Sequence, residues 1–299
     1  MSSTFRDDVL SLYTDAELVS RITQAPNPQT SLEIGFLSPN LLAKFSPTLD
    51  AMHDTLYAMD LARSLGIRVP AVKRVIEHQD GRYYIMQCVD GVTLDKAWPG
   101  LGWFTSLKLA LSLRRSIGLL RSHVSPAAGS LVTGKCRSFW LEDRFGLPMR
   151  STPQDVHSFI QFWANFKSLH QVMLTNGGVI DPAVYVPSIP PSLVFTHHDL
   201  APRNLLLDNS GTLWLLDWEY AGYYPPFFEH AAMHNFDPWA ERWSWFARFR
   251  WTVFTWIAAG RWEVERRLLE LIRSRFMRFP AARSYLLLKY GGLSRQAVS

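Results

Sequence analysis

Residues 194–219 read VFTHHDLAPRNLLLDNSGTLWLLDWE, and this stretch decides the fold. Leu205 to Asp208 and Thr212 to Leu216 are apolar strand candidates on either side of Asn209-Ser210-Gly211, a cluster of turn-forming residues. The pattern predicts a β-hairpin. With Ser210 and Gly211 as its two central residues, Asn204 faces Asp217 across the strands. Opposed residues in an antiparallel pair carry Cβ atoms roughly 4.5–5.5 Å apart. An amide oxygen and a carboxylate are therefore expected side by side, just outside the apolar part of the hairpin. Asp199 precedes Asn204 across a tight loop containing Pro202.

Two oxygen donors with a third carboxylate nearby suit Mg²⁺, which prefers octahedral oxygen ligands and takes one or two protein carboxylates beside substrate phosphates. A carboxylate not held tightly by metal is free to accept the proton of an attacking hydroxyl.

Outward from the hairpin, the chain divides into residues 1–91 and 92–299. The first part reads as a small mixed lobe. Leu32 to Ile34 and Leu41 to Phe45 predict two short strands around Ser38-Pro39-Asn40, and residues 50–65 have apolar positions at helical spacing ending at Gly66. Ala71 to Glu77 and Arg82 to Val89 predict a second hairpin around Gln79-Asp80-Gly81. The second part is mainly helical. Residues 104–122 and 153–174 read as amphipathic helices, the latter opened by Thr152-Pro153-Gln154-Asp155 with a cap residue and proline at the first helical position. Residues 124–150 predict a long loop, and the chain beyond residue 226 reads as helical.

The composition excludes several classes. A hydrophobic fraction of 47% with a net charge of +5 over 299 residues rules out a disordered chain. The basic excess is local: residues 1–241 carry 19 basic and 23 acidic groups, and residues 242–299 carry 12 basic and 3 acidic. A nucleic-acid partner is therefore not expected. Cys88 and Cys136 are too few for a disulfide framework or a Cys-based zinc site. Arg248, Arg250 and Arg261 interrupt the longest aromatic run, so no membrane span is expected, and a cytoplasmic location is the default reading.

His197-His198-Asp199-Leu200-Ala201-Pro202-Arg203-Asn204, followed by Leu215-Leu216-Asp217-Trp218-Glu219, resembles the catalytic core of the aminoglycoside phosphotransferase and choline kinase-like family, especially its fungal-type members. The resemblance implies an α+β, bilobal protein-kinase-like fold with a small β-rich N-lobe and a larger, mainly helical C-lobe. It implies an ATP- and Mg²⁺-dependent O-phosphotransferase acting on a small hydroxylated acceptor. Asp199 would be the catalytic base, Asn204 and Asp217 the Mg²⁺ ligands, Glu219 a supporting acid and His197 the loop organiser. Weaker matches extend over the rest of the chain. Gln87, Cys88 and Val89 resemble the hinge that touches adenine, and Lys44 the strand lysine that holds the ATP phosphates. Asp54 stands where the lysine's helical glutamate partner is usual, with Glu33 and Asp50 as competitors. Gly35 to Pro39 would form the phosphate-covering turn.

His198 replaces a common glycine and reads as a partly exposed spacer. Glu229, Asp237 and Glu241 are the acids near an acceptor cleft otherwise rich in Trp, Phe and Arg. That points away from a polycationic sugar and toward an acceptor of some aromatic or apolar character. The aromatic stripe from Phe236 to Trp256 reads as helix packing or, alternatively, as acceptor-pocket wall. Rival functions are a nucleotide- or small-molecule-binding pseudokinase and a repurposed enzyme with non-phosphoryl chemistry.

Overall fold

A computed structural model describes residues 5–26, 33–79, 81–167, 184–237 and 243–284. A 3₁₀ turn and helix α1 (Asp15–Gln24) precede strands β1 (Ile34–Phe36) and β2 (Leu41–Ser46), helix α2 (Leu49–Ser64), and strands β3 (Val72–His78) and β4 (Gly81–Gln87). The four strands form one antiparallel sheet in the order β1-β2-β4-β3. The strand expected over Leu32 to Ile34 lies two residues later at Ile34–Phe36, and Leu32 is outside the described residues. Thr48 caps α2 by accepting the Ala51 N–H at 3.1 Å. Gly66, at φ +81°, ends the helix in the left-handed conformation that glycine adopts without a Cβ penalty.

After β5 (Gly91–Thr93) and the short α3 (Leu94–Ala97), the chain is mostly helical: α4 (Trp103–Arg121), then β6 (Val124–Ser125), α5 (Pro153–Asn165) and β7 (Leu193–Thr196). The hairpin follows as β8 (Leu205–Asp208) and β9 (Leu213–Leu215), then β10 (Gly222–Tyr224), α6 (Phe227–Ala232), α7 (Trp245–Ala259) and α8 (Glu263–Arg278). Two small sheets, β10-β7-β6 and β5-β8-β9, interleave with these helices. Thr152 and Asp155 close a capping box on α5. The helix stops at Asn165, short of the expected 174, because Phe166 is extended; residues 168–174 lie outside the described residues.

One hydrophobic core joins α2 and α4 to the hairpin and α7, with Trp98, Trp218, Trp243, Trp251 and Phe254 all nearly fully buried. Trp98 meets Trp251 and Phe254 edge-on at 5.0 and 5.1 Å, a favoured aromatic geometry. Phe236 packs on Trp243 and Trp251 as well, so these rings of the aromatic stripe build the core and are unavailable to an acceptor pocket. A second core seats the 124–150 loop against α5, α6 and α8 through Trp140, Leu141, Phe159 and Phe228. That loop lacks regular structure beyond β6, as expected, yet its apolar residues anchor it.

Candidate active site

The hairpin pairs Leu205 with Leu215, Leu206 with Trp214 and Leu207 with Leu213. Its turn therefore has three residues, Asn209, Ser210 and Gly211, with Gly211 at φ +79°. Asp208 imposes this loop: its Oδ1 accepts the Ser210 N–H at 2.9 Å, the Ser210 hydroxyl at 2.6 Å and the Thr212 N–H at 2.8 Å. A three-residue hairpin loop with its last residue left-handed is a common alternative to the two-residue turn. The consequence is a correction of one position in register. Leu216, not Asp217, lies against Asn204, its N–H donating to the Asn204 carbonyl at 2.9 Å. Asp217 follows at φ +63°, an uncommon conformation for a non-glycine residue.

The loop before the hairpin is pinned from both sides. His197 Nε2 bonds the Leu216 carbonyl at 2.9 Å, and its Nδ1 accepts the Asp199 N–H at 3.3 Å. Burial pushes the His197 imidazole down to about 4, so the ring is neutral and donates through Nε2. Glu229 of α6 accepts the N–H of His197 at 2.7 Å and of His198 at 3.1 Å. It is 1% exposed, so it braces the loop from inside and is removed from the acids expected to line an acceptor cleft. His198 is fully buried, contrary to its reading as a partly exposed spacer. It sits at φ +68°, which explains why glycine suits this position. Its ring stacks on Tyr224 at 4.2 Å and bonds the Ser138 hydroxyl at 2.8 Å, contacts that offset the backbone cost.

Asp199, 3% exposed, emerges from this loop. Arg203 Nη2 donates to both its carboxylate oxygens at 2.9 Å, and Asn204 Nδ2 donates to Oδ2 at 2.8 Å. Burial raises the Asp199 carboxyl to about 7 despite the guanidinium beside it.

Lys44 reaches the far end of the hairpin from β2. Its Nζ contacts Asp217 Oδ1 at 2.7 Å and Glu219 Oε1 at 2.6 Å. Burial alone would lower the Lys44 ammonium, but Tyr84 and the two carboxylates outweigh it and hold the group above its ordinary value. Burial likewise disfavours the Asp217 carboxylate, and Lys44 more than compensates, leaving it below its ordinary value.

The expected Lys44–Asp54 pair does not form. Asp54 accepts the Val132 and Thr133 N–H groups at 2.9 and 3.0 Å and the Thr133 hydroxyl at 2.7 Å. Three donors on the 124–150 loop satisfy this buried carboxylate. The competitor Asp50 is bonded to Lys135 at 2.6 Å.

At the expected hinge, Gln87 N–H donates to the Ala71 carbonyl at 2.8 Å and Cys88 N–H to the Asn40 carbonyl at 2.7 Å; Val89 follows. The Gly35 to Pro39 segment forms the end of β1 and the turn into β2, where the Ser38 hydroxyl accepts the Asn40 and Leu41 N–H groups. Arg203, Ser138 and the bracing role of Glu229 were missed by the sequence reading. Only Arg203 carried a signal, its four-residue spacing from Asp199.

Residues 181–250 match the family model APH, phosphotransferase enzyme family. That stretch, 70 of the 299 residues, is similar to the phosphotransferase enzyme family. No curated protein matches the chain by sequence. Among solved structures, an aminoglycoside phosphotransferase from Streptomyces rimosus, APH(3'')-Id in complex with ADP and streptomycin, is 14% identical with a TM-score of 0.51 over 91% of this chain and 99% of that one. A thermostable mutant of APH(4)-Ia, in a ternary complex with ADP and hygromycin B, gives 14% and 0.51 over 92% of each chain. A choline kinase from Streptococcus pneumoniae gives 14% and 0.43 over 85% of this chain and 82% of that one. The two APH structures show the fold: an α+β, kinase-like arrangement with an N-terminal antiparallel sheet and a mostly helical remainder. The APH segment spans Asp199, Asn204, Asp217 and Glu219. Among the described residues, no helix is long and apolar enough to cross a membrane.

Proposed function

We propose that the chain is an ATP- and Mg²⁺-dependent O-phosphotransferase for a small hydroxylated molecule. One observation carries this reading: Lys44 crosses from the first sheet to Asp217, 173 residues along the chain, beside the hydrogen-bonded Asp199–Asn204 pair.

In this reading Asp199 accepts the proton of the acceptor hydroxyl. A carboxyl near 7 is suited to a base working at neutral pH, and Arg203 and Asn204 aim it. The oxygen donors fit Mg²⁺. Asn204 spends Nδ2 on the Asp199 side chain and carbonyl, leaving its Oδ1 for a cation, and Lys44 takes only one Asp217 oxygen. Bound Mg·ATP would supply the phosphoryl group, with the ion neutralising phosphate charge. Lys44 steadies the α- and β-phosphates. Because the Gln87 and Cys88 amides are engaged, Val89 N–H and the hinge carbonyls are the groups left to read adenine. His197 and Glu229 keep the base in place.

The acceptor class follows from the wall beside the base. Arg203 donates to the Asn235 carbonyl and Arg273 to its side chain; Arg273 lies over Phe139, Phe139 stacks on Tyr220 at 4.3 Å, and Arg137 lies over Tyr220. Three guanidiniums and two rings favour a neutral or anionic acceptor with a flat apolar portion over a polycation. Incubating the chain with γ-labelled ATP and pools of alcohols, amino alcohols, hydroxy acids and aminoglycosides tests both points. Label transfer lost in Asp199→Ala is expected. A marked aminoglycoside preference would defeat the acceptor assignment, and transfer surviving in Asp199→Ala would defeat the mechanism.

A second reading is nucleotide binding without transfer, in which Lys44 stays on Asp217 and Glu219 and these carboxylates take no metal. Thermal shift with ATP separates the two: the enzyme reading requires added stabilisation by Mg²⁺.

A further inference from the structure

We propose that His230, His234 and Glu263 form a transition-metal site, with Zn²⁺ the ion that their chemistry fits best. It stands apart from the Asp199 site and does not depend on the phosphotransferase reading. One ligand atom from each residue lies within 4.8 Å of the other two. His230 and His234 are four residues apart, on α6 and the turn that follows it, with ring centroids 5.0 Å apart. Glu263 arrives at the start of α8. Two imidazoles and one carboxylate are the ligand set of an open zinc site, in which the fourth position is left to water or another small ligand. The same set disfavours Mg²⁺, which takes oxygen ligands.

The distances suit this use. His230 Nε2 and Glu263 Oε1 are 3.3 Å apart. Two ligands bound to a tetrahedral ion at about 2.0–2.2 Å stand roughly 3.3–3.6 Å from one another, so the pair already spans a coordination edge. The carboxylate is held in orientation from outside. Arg266 grips Oε2 through Nε at 3.0 Å and Nη2 at 2.9 Å, and Trp256 Nε1 reaches Oε1 at 3.0 Å. Thr255 Oγ1 meets His234 Nε2 at 3.1 Å. Such outer contacts fix metal ligands and tune their affinity. His230 is fully buried, and Nε2 is the ring nitrogen it turns toward Glu263. The location has a consequence, because His230 follows Glu229, the carboxylate bracing the His197–His198 amides. An ion here would staple α6 to α8 behind the candidate catalytic loop.

The test uses the full chain stripped with chelator and titrated with Zn²⁺, followed by calorimetry and melting temperature. Co²⁺ serves as the spectroscopic probe. One Zn²⁺ per chain, a raised melting temperature and the intense visible bands of tetrahedral Co²⁺ are expected. His234→Ala and Glu263→Gln should each weaken Zn²⁺ binding by at least about ten-fold with unchanged circular dichroism. Asp217→Asn should bind Zn²⁺ as the wild type does, which separates this site from the Asp199 region. No uptake, or uptake equal in wild type and both ligand variants, overturns the proposal. Where a variant fails to fold, the wild-type Co²⁺ spectrum decides, and absence of tetrahedral bands overturns it.

Discussion

Arg203 grips Asp199 from four residues away, one guanidinium nitrogen donating to both carboxylate oxygens at 2.9 Å. Burial raises this carboxyl to about 7, and Arg203 opposes the rise. Removing the guanidinium should therefore push the midpoint above 7. Carboxyl ¹³C chemical shifts followed against pH, without added divalent ions, give the measurement. Arg203→Ala should titrate higher than wild type, and Arg203→Lys, which keeps the charge but lacks the second nitrogen that anchors the guanidinium on the Asn235 carbonyl, should fall between. A midpoint unchanged or lowered in Arg203→Ala would contradict the clamp. Phosphoryl transfer in the wild type should rise with pH through the same midpoint, because only the carboxylate accepts a proton.

Lys44 and Asp54 should separate cleanly. Lys44→Met strands the Asp217 and Glu219 carboxylates together, at a cost of about 1–3 kcal/mol. The figure is below that of a fully buried pair because Asp217 is 38% exposed. The same variant should lose ATP affinity. Asp54→Ala leaves the Val132 and Thr133 donors unpaired, costing ~1–3 kcal/mol, while ATP affinity is retained. Denaturation midpoints and nucleotide titration read both. Loss of ATP binding in Asp54→Ala at unchanged stability would restore the Lys44–Asp54 pair.

Gly91 tests the seam between β5 and the hairpin. A Cβ there would sit 2.5 Å from the Leu207 carbonyl oxygen and 3.0 Å from the Asp208 Cα, backbone that cannot yield without breaking the pairing. Gly91→Ala should cost ~1–3 kcal/mol in urea unfolding. Gly102→Ala, with no atom within 4 Å of the added carbon, should be close to neutral. Equal costs for the two would mean that β5 is not held against β8.

The elements that sequence reading located were those written in local chemistry. The capping box of Thr152 and Asp155, the αL glycine after α2 and the turn chemistry at 209–211 each act over a few residues. The hairpin register was missed because it hangs on a side chain: Asp208 binding its own loop turns a two-residue turn into a three-residue one. The Lys44 partners were missed for a different reason. Asp54 has the right helix and charge, but whether it faces Lys44 or residues 132–133 depends on how a loop 78 residues away packs. Glu229 was visible as an acid but placed with the acceptor cleft, since nothing local says that two backbone amides await it. The aromatic stripe carried both readings, and only the burial of Trp243, Trp251 and Phe254 chose between them.

Glu229 and its neighbours should also shape stability against pH. Burial raises the Glu229 carboxyl to about 7, so the folded chain keeps a proton that the unfolded chain loses near its ordinary carboxyl value. That group's contribution is greatest at acid pH and is lost as pH rises toward 7. Burial lowers the His198 imidazole to about 3 and the His197 imidazole to about 4, so their contributions are complete above the ordinary imidazole value and are lost as pH falls. Asp199, raised like Glu229, has the same sign as Glu229. Between about pH 4.5 and 6.5 two acids and two imidazoles therefore oppose one another, and this cluster adds little slope. Glu229→Gln removes one acid and leaves the imidazoles in excess. The variant is less stable than wild type at pH 5, because one backbone amide loses its acceptor. The gap should narrow by about 1.4 kcal/mol per pH unit up to pH 6.5, as wild type alone holds the Glu229 proton. Urea unfolding of both chains at pH 5 and pH 6.5 measures it, and a gap equal at the two values would mean that the buried Glu229 is ionised throughout.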